Sequence, residues 1–203
     1  TMSDTDKRII LLDPSTLANA DCMRKIQLGN RQGLQPKLRS DPLDFGQALH
    51  RGIADYRTDF FLRGPTHVNS EKSIAVATDY YDKCLCAKEP PRTRDTLALA
   101  LTFYFEKVIP RDQFVPLITP DKTKLALEIP FKIPLFSNST TDVLLSGVLD
   151  GVGHYGQRMV MFDTKHSATF DIKKHLQEQV TRPQFQYYAE AMHYLGYGMG
   201  DGK

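Results

Sequence analysis

An apolar hairpin in the last third of the chain constrains the fold more than any other stretch. Gly147-Val148-Leu149-Asp150-Gly151-Val152 runs toward a turn at Tyr155-Gly156-Gln157, and Met159-Val160-Met161-Phe162-Asp163-Thr164-Lys165 runs back. Two apolar runs joined by a short glycine-containing turn predict adjacent antiparallel strands. Side chains alternate along a strand, so Asp163 and Lys165 are expected on one face. Thr164 then points to the other face, with its carbonyl still close. Asp150 comes from the neighbouring strand, where cross-strand Cβ atoms lie about 5 Å apart. The expected result is two carboxylates and one ammonium at a single point. Gly147 and Gly151 bracket Asp150 and admit close approach to the backbone.

Two carboxylates that close resist double ionisation. A divalent cation removes that penalty, and Mg²⁺ is a hard ion that favours carboxylate oxygens. Such an ion polarises a phosphate, lowers the pKa of water and orients attack. Lys165 then holds the water or offsets charge growing on the phosphate. The same residues admit a plainer reading. An Asp-x-Lys on an exposed strand is usually an ion pair worth about 0–1 kcal/mol. The wholly apolar flank Met159–Phe162 marks an interior strand, and charges at its end demand partners.

The rest of the chain reads as helices followed by strands. Residues 9–28 pass through Asp13-Pro14-Ser15 and continue into a helix with Leu17, Cys22, Ile26 and Leu28, with Ser15 as its cap. Residues 30–44 read as a loop. A second helix runs from Asp44 to about Leu62, with Phe45, Leu49, Ile53 and Tyr56 at helical spacing. His50 lies beside that stripe, where a single histidine is most often a satisfied core or boundary residue. Further helices are expected over 71–86 and 93–108, split by Pro90-Pro91. Leu125–Ile133, Val143–Val152 and Met159–Thr164 follow as a three-stranded meander. Pro183 opens a last helix through Tyr194, where a missing N–H costs nothing.

The chain has 203 residues and is 41% hydrophobic, which suits one domain, here with a helical insertion around 65–110. Net charge is +2, so nucleic-acid binding by bulk charge is excluded and must rest on local patches. Three cysteines with one C-x-C spacing form no disulfide framework, which fits a reducing, intracellular setting. The start, Thr1-Met2-Ser3-Asp4, is polar and acidic, so no signal peptide is expected. No apolar run reaches about eighteen residues, so no membrane association is expected.

Gly147-x-x-Asp150, a hairpin and Asp163-x-Lys165 resemble the active-site core of the PD-(D/E)XK nuclease superfamily. Gly46-Gln47-Ala48-Leu49-His50 is similar to the Gly-x-x-x-His helix of its RecB-, AddB- and Cas4-like branch. Pro183-Gln184-Phe185-Gln186-Tyr187-Tyr188 resembles that branch's Gln-x-x-x-Tyr helix. Ser15-Thr16-Leu17 with Cys22-Met23-Arg24-Lys25 is similar to its N-terminal segment. The pieces occur in family order from residue 15 to 194.

The resemblance implies an α/β, restriction-endonuclease-like core with a small mixed sheet flanked by helices. It implies a Mg²⁺- or Mn²⁺-dependent deoxyribonuclease, an exonuclease on DNA ends or single strands in replication, recombination or repair. No ATP-binding motif is present, so any ATP-driven unwinding would need a helicase or recombination partner. Asp150 and Asp163 would hold the metal with His50 and the Thr164 carbonyl. Lys165 would be the catalytic cation, and Gln184 and Tyr188 would organise the site or touch the DNA backbone. Glu128 either assists a second metal or pairs with Lys132 or Lys124. The DNA path would carry Arg24, Lys25, Arg31, Arg39, Arg51, Lys173, Lys174 and Arg182, with Tyr56, Tyr187 and Tyr188 stacking on bases. His166 is a further candidate for phosphate.

The chain departs from many relatives in one respect. Many members of the resembled branch hold an iron–sulfur cluster through one N-terminal and three C-terminal cysteines; only Cys22 stands at such a position, and Cys84 and Cys86 lie in the insertion. No cluster is expected: either this branch lacks it or the chain stops short of it, and in the family a further strand would follow the last helix. The alternatives are a catalytically silent nucleic-acid-binding or scaffold module, and a metal-dependent hydrolase of another substrate.

Overall fold

A computed structural model describes residues 7–13, 40–84, 86, 88, 90–165, 173, 177 and 184–197. In chain order the elements are β1 (Arg8–Leu12), α1 (Asp41–Arg63), α2 (Ser70–Lys83), α3 (Arg94–Phe103), β2 (Phe114–Pro116), β3 (Leu127–Ser137), β4 (Thr141–Tyr155), β5 (Arg158–Phe162) and α4 (Gln184–Met192). The architecture is mixed α/β, with a five-stranded mixed sheet and flanking helices.

β4 is the common partner in the sheet. β1 runs parallel to its first residues, Arg8 opposite Thr141 and Leu12 opposite Leu145. β2 and β5 pair antiparallel with its last residues, and β3 pairs with it as well. The expected meander is therefore present as β3, β4 and β5. β1 and β2 are additions. The run Arg8-Ile9-Ile10-Leu11-Leu12 was expected to lead into a helix. A short continuous apolar run does not distinguish strand from helix, and here the ladder with β4 decides. The helix expected over 15–28 lies outside the described residues.

The chain divides into two compact units, one of Pro36–Glu128 with Asp150–His166, the other of Thr1–Gln35, Ile129–Leu149 and Ser167–Lys203. The first unit is built on α1. Its stripe Phe45, Ala48, Leu49 and Ile53 is buried against Ala77 and Tyr81 of α2 and Leu97 and Leu101 of α3. At Gly52 the helices come so close that a Cβ would lie 2.9 Å from Leu101 Cδ1. α1 begins at Asp41, earlier than expected, because Pro42 occupies the first turn, where its missing N–H is harmless. The Asn69 side chain caps α2, and Thr93 forms a capping box with Thr96 on α3. α3 does not run straight to Val108. It widens into a π-type turn at Tyr104–Val108 and closes with a 3₁₀ turn at Ile109–Arg111. A second small core joins Phe114, Leu125 and Leu127 to Phe61, Val160 and Phe162.

The second unit holds β1, the first part of β4, most of β3, and α4. The side chain of Asn138 accepts from the N–H groups of Thr140 and Thr141 and fixes the β3–β4 turn. Gly147 faces the Phe131 ring so closely that a Cβ would lie 2.7 Å from Cζ. The same ring meets Tyr188 of α4 edge-on.

Candidate metal centre

Three segments of the first unit deliver three donor groups to one place. α1 buries the face defined by Phe45, Leu49 and Ile53, and His50, next to Leu49, sits at the margin of that face with 23% of its side chain exposed. β4 brings Asp150, whose side chain is only 10% exposed. Glu128 comes from the start of β3. One ligand atom from each of His50, Glu128 and Asp150 lies within 4.8 Å of the other two.

Glu128 reaches this position through an irregular backbone. Leu127 N–H donates to the Leu125 carbonyl only two residues back, and Ala126 bridges to Leu117 and Val152. The next residue, Glu128, has φ of +48°. A left-handed conformation costs a non-glycine residue about 1 kcal/mol or more. Its carboxylate faces His50, with Oε1 3.7 Å from Nδ1. Neither Lys132 nor Lys124, its expected alternatives, is its partner in the described structure.

Asp150 Oδ2 lies 3.3 Å from the same ring nitrogen. Burial alone would lower the His50 pKa; hydrogen bonding and charge from Asp150, then Glu128, outweigh it and push it up to about 10. The imidazolium thereby balances two carboxylates. Its other nitrogen, Nε2, is 2.9 Å from the Thr164 carbonyl. Thr164 N–H in turn donates to Asp150 Oδ2 at 2.6 Å. The Thr164 carbonyl, expected as a metal ligand, thus engages the back of the histidine ring.

The strand register puts Asp163 opposite Asp150, one step past the ladder pair Gly151 and Phe162. β5 ends at Phe162, so Asp163, Thr164 and Lys165 follow the strand rather than extend it. Asp163 stands outside the close trio and instead accepts from Lys165 Nζ at 3.0 Å. Burial raises the Asp163 pKa, Lys165 opposes that shift, and the charge of Asp150 adds to it.

Gln184 and Tyr188 belong to the second unit. Gln184 Nε2 donates to Tyr188 Oη at 2.7 Å, as expected for residues one turn apart. Tyr188 is 7% exposed, so its ring is buried and does not offer the stacking face expected of it. Tyr56 also fails as an open platform, because it stacks on Phe105 with centroids 4.0 Å apart. Arg51 is exposed, with its guanidinium 4.1 Å from the centre of the Tyr80 ring. Lys173 is exposed. Cys22, Arg24, Lys25, Arg31, Arg39, His166, Lys174, Arg182 and Pro183 lie outside the described residues. Cys84 and Cys86 are free thiols, and no described helix is long and apolar enough to cross a membrane.

Sequence reasoning missed Arg57. This side chain is 1% exposed and pairs with Asp112. It also donates to Tyr104 Oη at 2.9 Å and lies under the Phe162 ring at 4.6 Å. Its place on the buried side of α1, within the apolar stripe, was the available signal, since a buried arginine requires an anionic partner.

Two carboxylates and one imidazole at mutual coordination distance suit a small divalent ion of the Mg²⁺, Mn²⁺ or Zn²⁺ type. The adjoining Asp163–Lys165 pair supplies a positioned ammonium. In comparisons with known proteins, no family model, no curated protein and no solved structure matches the chain.

Proposed function

We propose that this chain is a Mg²⁺- or Mn²⁺-dependent deoxyribonuclease with a PD-(D/E)XK arrangement. It acts as an exonuclease on DNA ends or single strands in replication, recombination or repair. The observation that carries this reading is the trio His50, Glu128 and Asp150 within 4.8 Å, beside an ammonium held by Asp163. The ordered motifs from His50 to Tyr188 support it by resemblance.

His50, Glu128 and Asp150 would hold the cation. A divalent ion bound there supplies positive charge to a phosphate and acidity to water. The chain's own groups do the rest. The backbone of Thr164 orients both the His50 ring and the Asp150 carboxylate. Asp163 fixes the Lys165 ammonium, which donates to phosphate oxygens as negative charge grows on them. Hydrolysis adds one water across a P–O ester bond: the water oxygen bonds to phosphorus, and the departing oxygen leaves as an alcohol with a proton. No covalent intermediate with the chain is needed. For Gln184 and Tyr188 the assignment rests on the resemblance alone, and so do the DNA contacts of Arg51 and Lys173.

The test is incubation of end-labelled linear DNA and of circular DNA with Mg²⁺ or Mn²⁺. Wild type is expected to release nucleotides from linear DNA, and Asp150→Ala and Lys165→Ala to release none. Equal, negligible product from all three would remove the enzyme reading and leave a binding or scaffold module.

A further inference from the structure

Beside the trio lies a cavity of about 560 Å³ that the hydrolytic reading does not use. Its wall is formed by Tyr104, Lys107, Arg111, Asp112, Tyr155 and Phe162. It shares Asp163 and Thr164 with the site described above, and Thr164 touches both His50 and Asp150. The volume lies within the range of about 300–1,000 Å³ typical of small-molecule sites.

The charges in the wall are sorted. Both acids are already matched inside the protein, Asp112 by Arg57 and Asp163 by Lys165. Lys107 and Arg111 remain at the surface, four residues apart on the turns that follow α3. The contact of Lys107 with its neighbour Glu106 is exposed at 3.7 Å and holds it weakly. Tyr155 leaves 52% of its surface to solvent, so a ring face is available. Buried Arg57 joins three of the lining residues, pairing with Asp112, donating to Tyr104 Oη and lying against the Phe162 ring. An apolar, aromatic hollow with two cations suits a flat heteroaromatic ring that carries a phosphate.

We propose that this cavity seats one unpaired nucleotide of a nucleic-acid strand, with its base against Tyr155 and its phosphate on Lys107 and Arg111. The proposal rests on the phosphodiester-hydrolysis reading and deepens it. A base laid against Tyr155 has left its own stack and its pairing partner, so the substrate is a single strand or a frayed end. The phosphate next to the seated nucleotide then lies toward the Asp163–Thr164 segment.

Binding is measured in EDTA by fluorescence anisotropy, so that nothing is cleaved. The probes are a short labelled oligothymidylate, a blunt hairpin duplex, thymidine monophosphate and inorganic phosphate. The single strand is expected to bind more tightly than the duplex. Thymidine monophosphate should compete with it, more weakly than unlabelled strand, and phosphate at equal concentration should not. Tyr155→Ala and Arg111→Ala should each weaken strand binding about tenfold, and Tyr155→Phe should keep it, because stacking uses the ring face. Unchanged affinity in Tyr155→Ala and Arg111→Ala would overturn the proposal, and so would competition by phosphate as strong as by the nucleotide. A monophosphate that binds as tightly as the strand would overturn the strand assignment in favour of a free nucleotide. The cleavage assay separates the two readings. Asp150-dependent cleavage with Tyr155-independent binding removes the cavity proposal alone. Tyr155-dependent binding without any cleavage removes the nuclease reading alone.

Discussion

Thr164 grips Asp150 through its main chain: the Thr164 N–H donates to Asp150 Oδ2 at 2.6 Å. The carbonyl of the same residue meets His50 Nε2 at 2.9 Å. One peptide segment therefore orients two of the three donor groups, and neither contact uses the threonine side chain. Thr164→Ala should leave Mn²⁺ affinity and cleavage within about threefold of wild type, whereas Asp150→Ala, which removes a proposed metal ligand, should cost far more than the roughly 10–100-fold typical of supporting contacts. Calorimetric titration with Mn²⁺, together with cleavage rates, measures both. A Thr164→Ala variant with Mn²⁺ affinity as low as that of Asp150→Ala would show that the hydroxyl or methyl group matters.

Glu128 sets conformational strain against function. Its φ of +48° suits glycine better than glutamate, yet only a carboxylate can face His50 and a cation. In EDTA both Glu128→Gly and Glu128→Ala lose the contact with His50, and Glu128→Gly should lose less stability, through relief of about 1 kcal/mol of strain. Glu128→Ala keeps the strained conformation and should melt lower than Glu128→Gly. Both should bind Mn²⁺ more weakly. If Glu128→Gly melts well below Glu128→Ala in EDTA, the strain has been misassigned.

His50 predicts how metal-free stability follows pH. Its folded pKa is raised to about 10 from 6.5. The stabilisation is therefore fully present below 6.5 and is lost as pH rises through the folded value. Between pH 7 and pH 9 the unfolded chain has already released this proton and the folded chain retains it. The slope is at most about 1.4 kcal/mol per pH unit. Cys86, also raised, starts from 9.0 and adds to the fall at the top of this window, while Tyr81 starts from 10.0 and enters above it. Denaturation in EDTA at pH 7, 8 and 9 should show falling stability in wild type and a flatter profile in His50→Gln. Mn²⁺ should reverse the trend, because a cation displaces the proton and its binding strengthens as pH rises.

The hairpin and α1 were legible because their information is local. Alternation, a turn at Gly156 and a helical apolar stripe sit within a few residues of each other. They also bring His50 and Asp150 within reach of one site, since each lies next to a buried apolar position on its own element. The direction of Glu128 was not legible, because it follows from the irregular backbone between Leu125 and Glu128 rather than from any periodicity. That Asp163 serves Lys165 rather than the trio depends on β5 stopping at Phe162, a matter of a single residue. β1 owes its existence to a parallel ladder with a strand more than a hundred residues away. The Arg57–Asp112 pair spans 55 residues, and no short pattern announces it.

That pair carries the last prediction. Arg57 is 1% exposed and its charge is met by Asp112, with Tyr104 Oη as a second acceptor and the rings of Phe162 and Phe114 at 4.6 and 5.3 Å. Removing one partner of a buried pair leaves the other charge without compensation and costs about 3–5 kcal/mol, while replacing both by apolar groups of similar volume is often near neutral. Asp112→Ala should therefore lower stability by about 3 kcal/mol in urea denaturation, and Arg57→Met with Asp112→Leu should recover most of it. Some loss should persist in the double variant, because Arg57 also donates to Tyr104 and lies under the aromatic rings, contacts that methionine replaces only in part. If Asp112→Ala costs under about 1 kcal/mol, the pair behaves as a solvated surface contact and Arg57 does not hold Asp112 in the cavity wall.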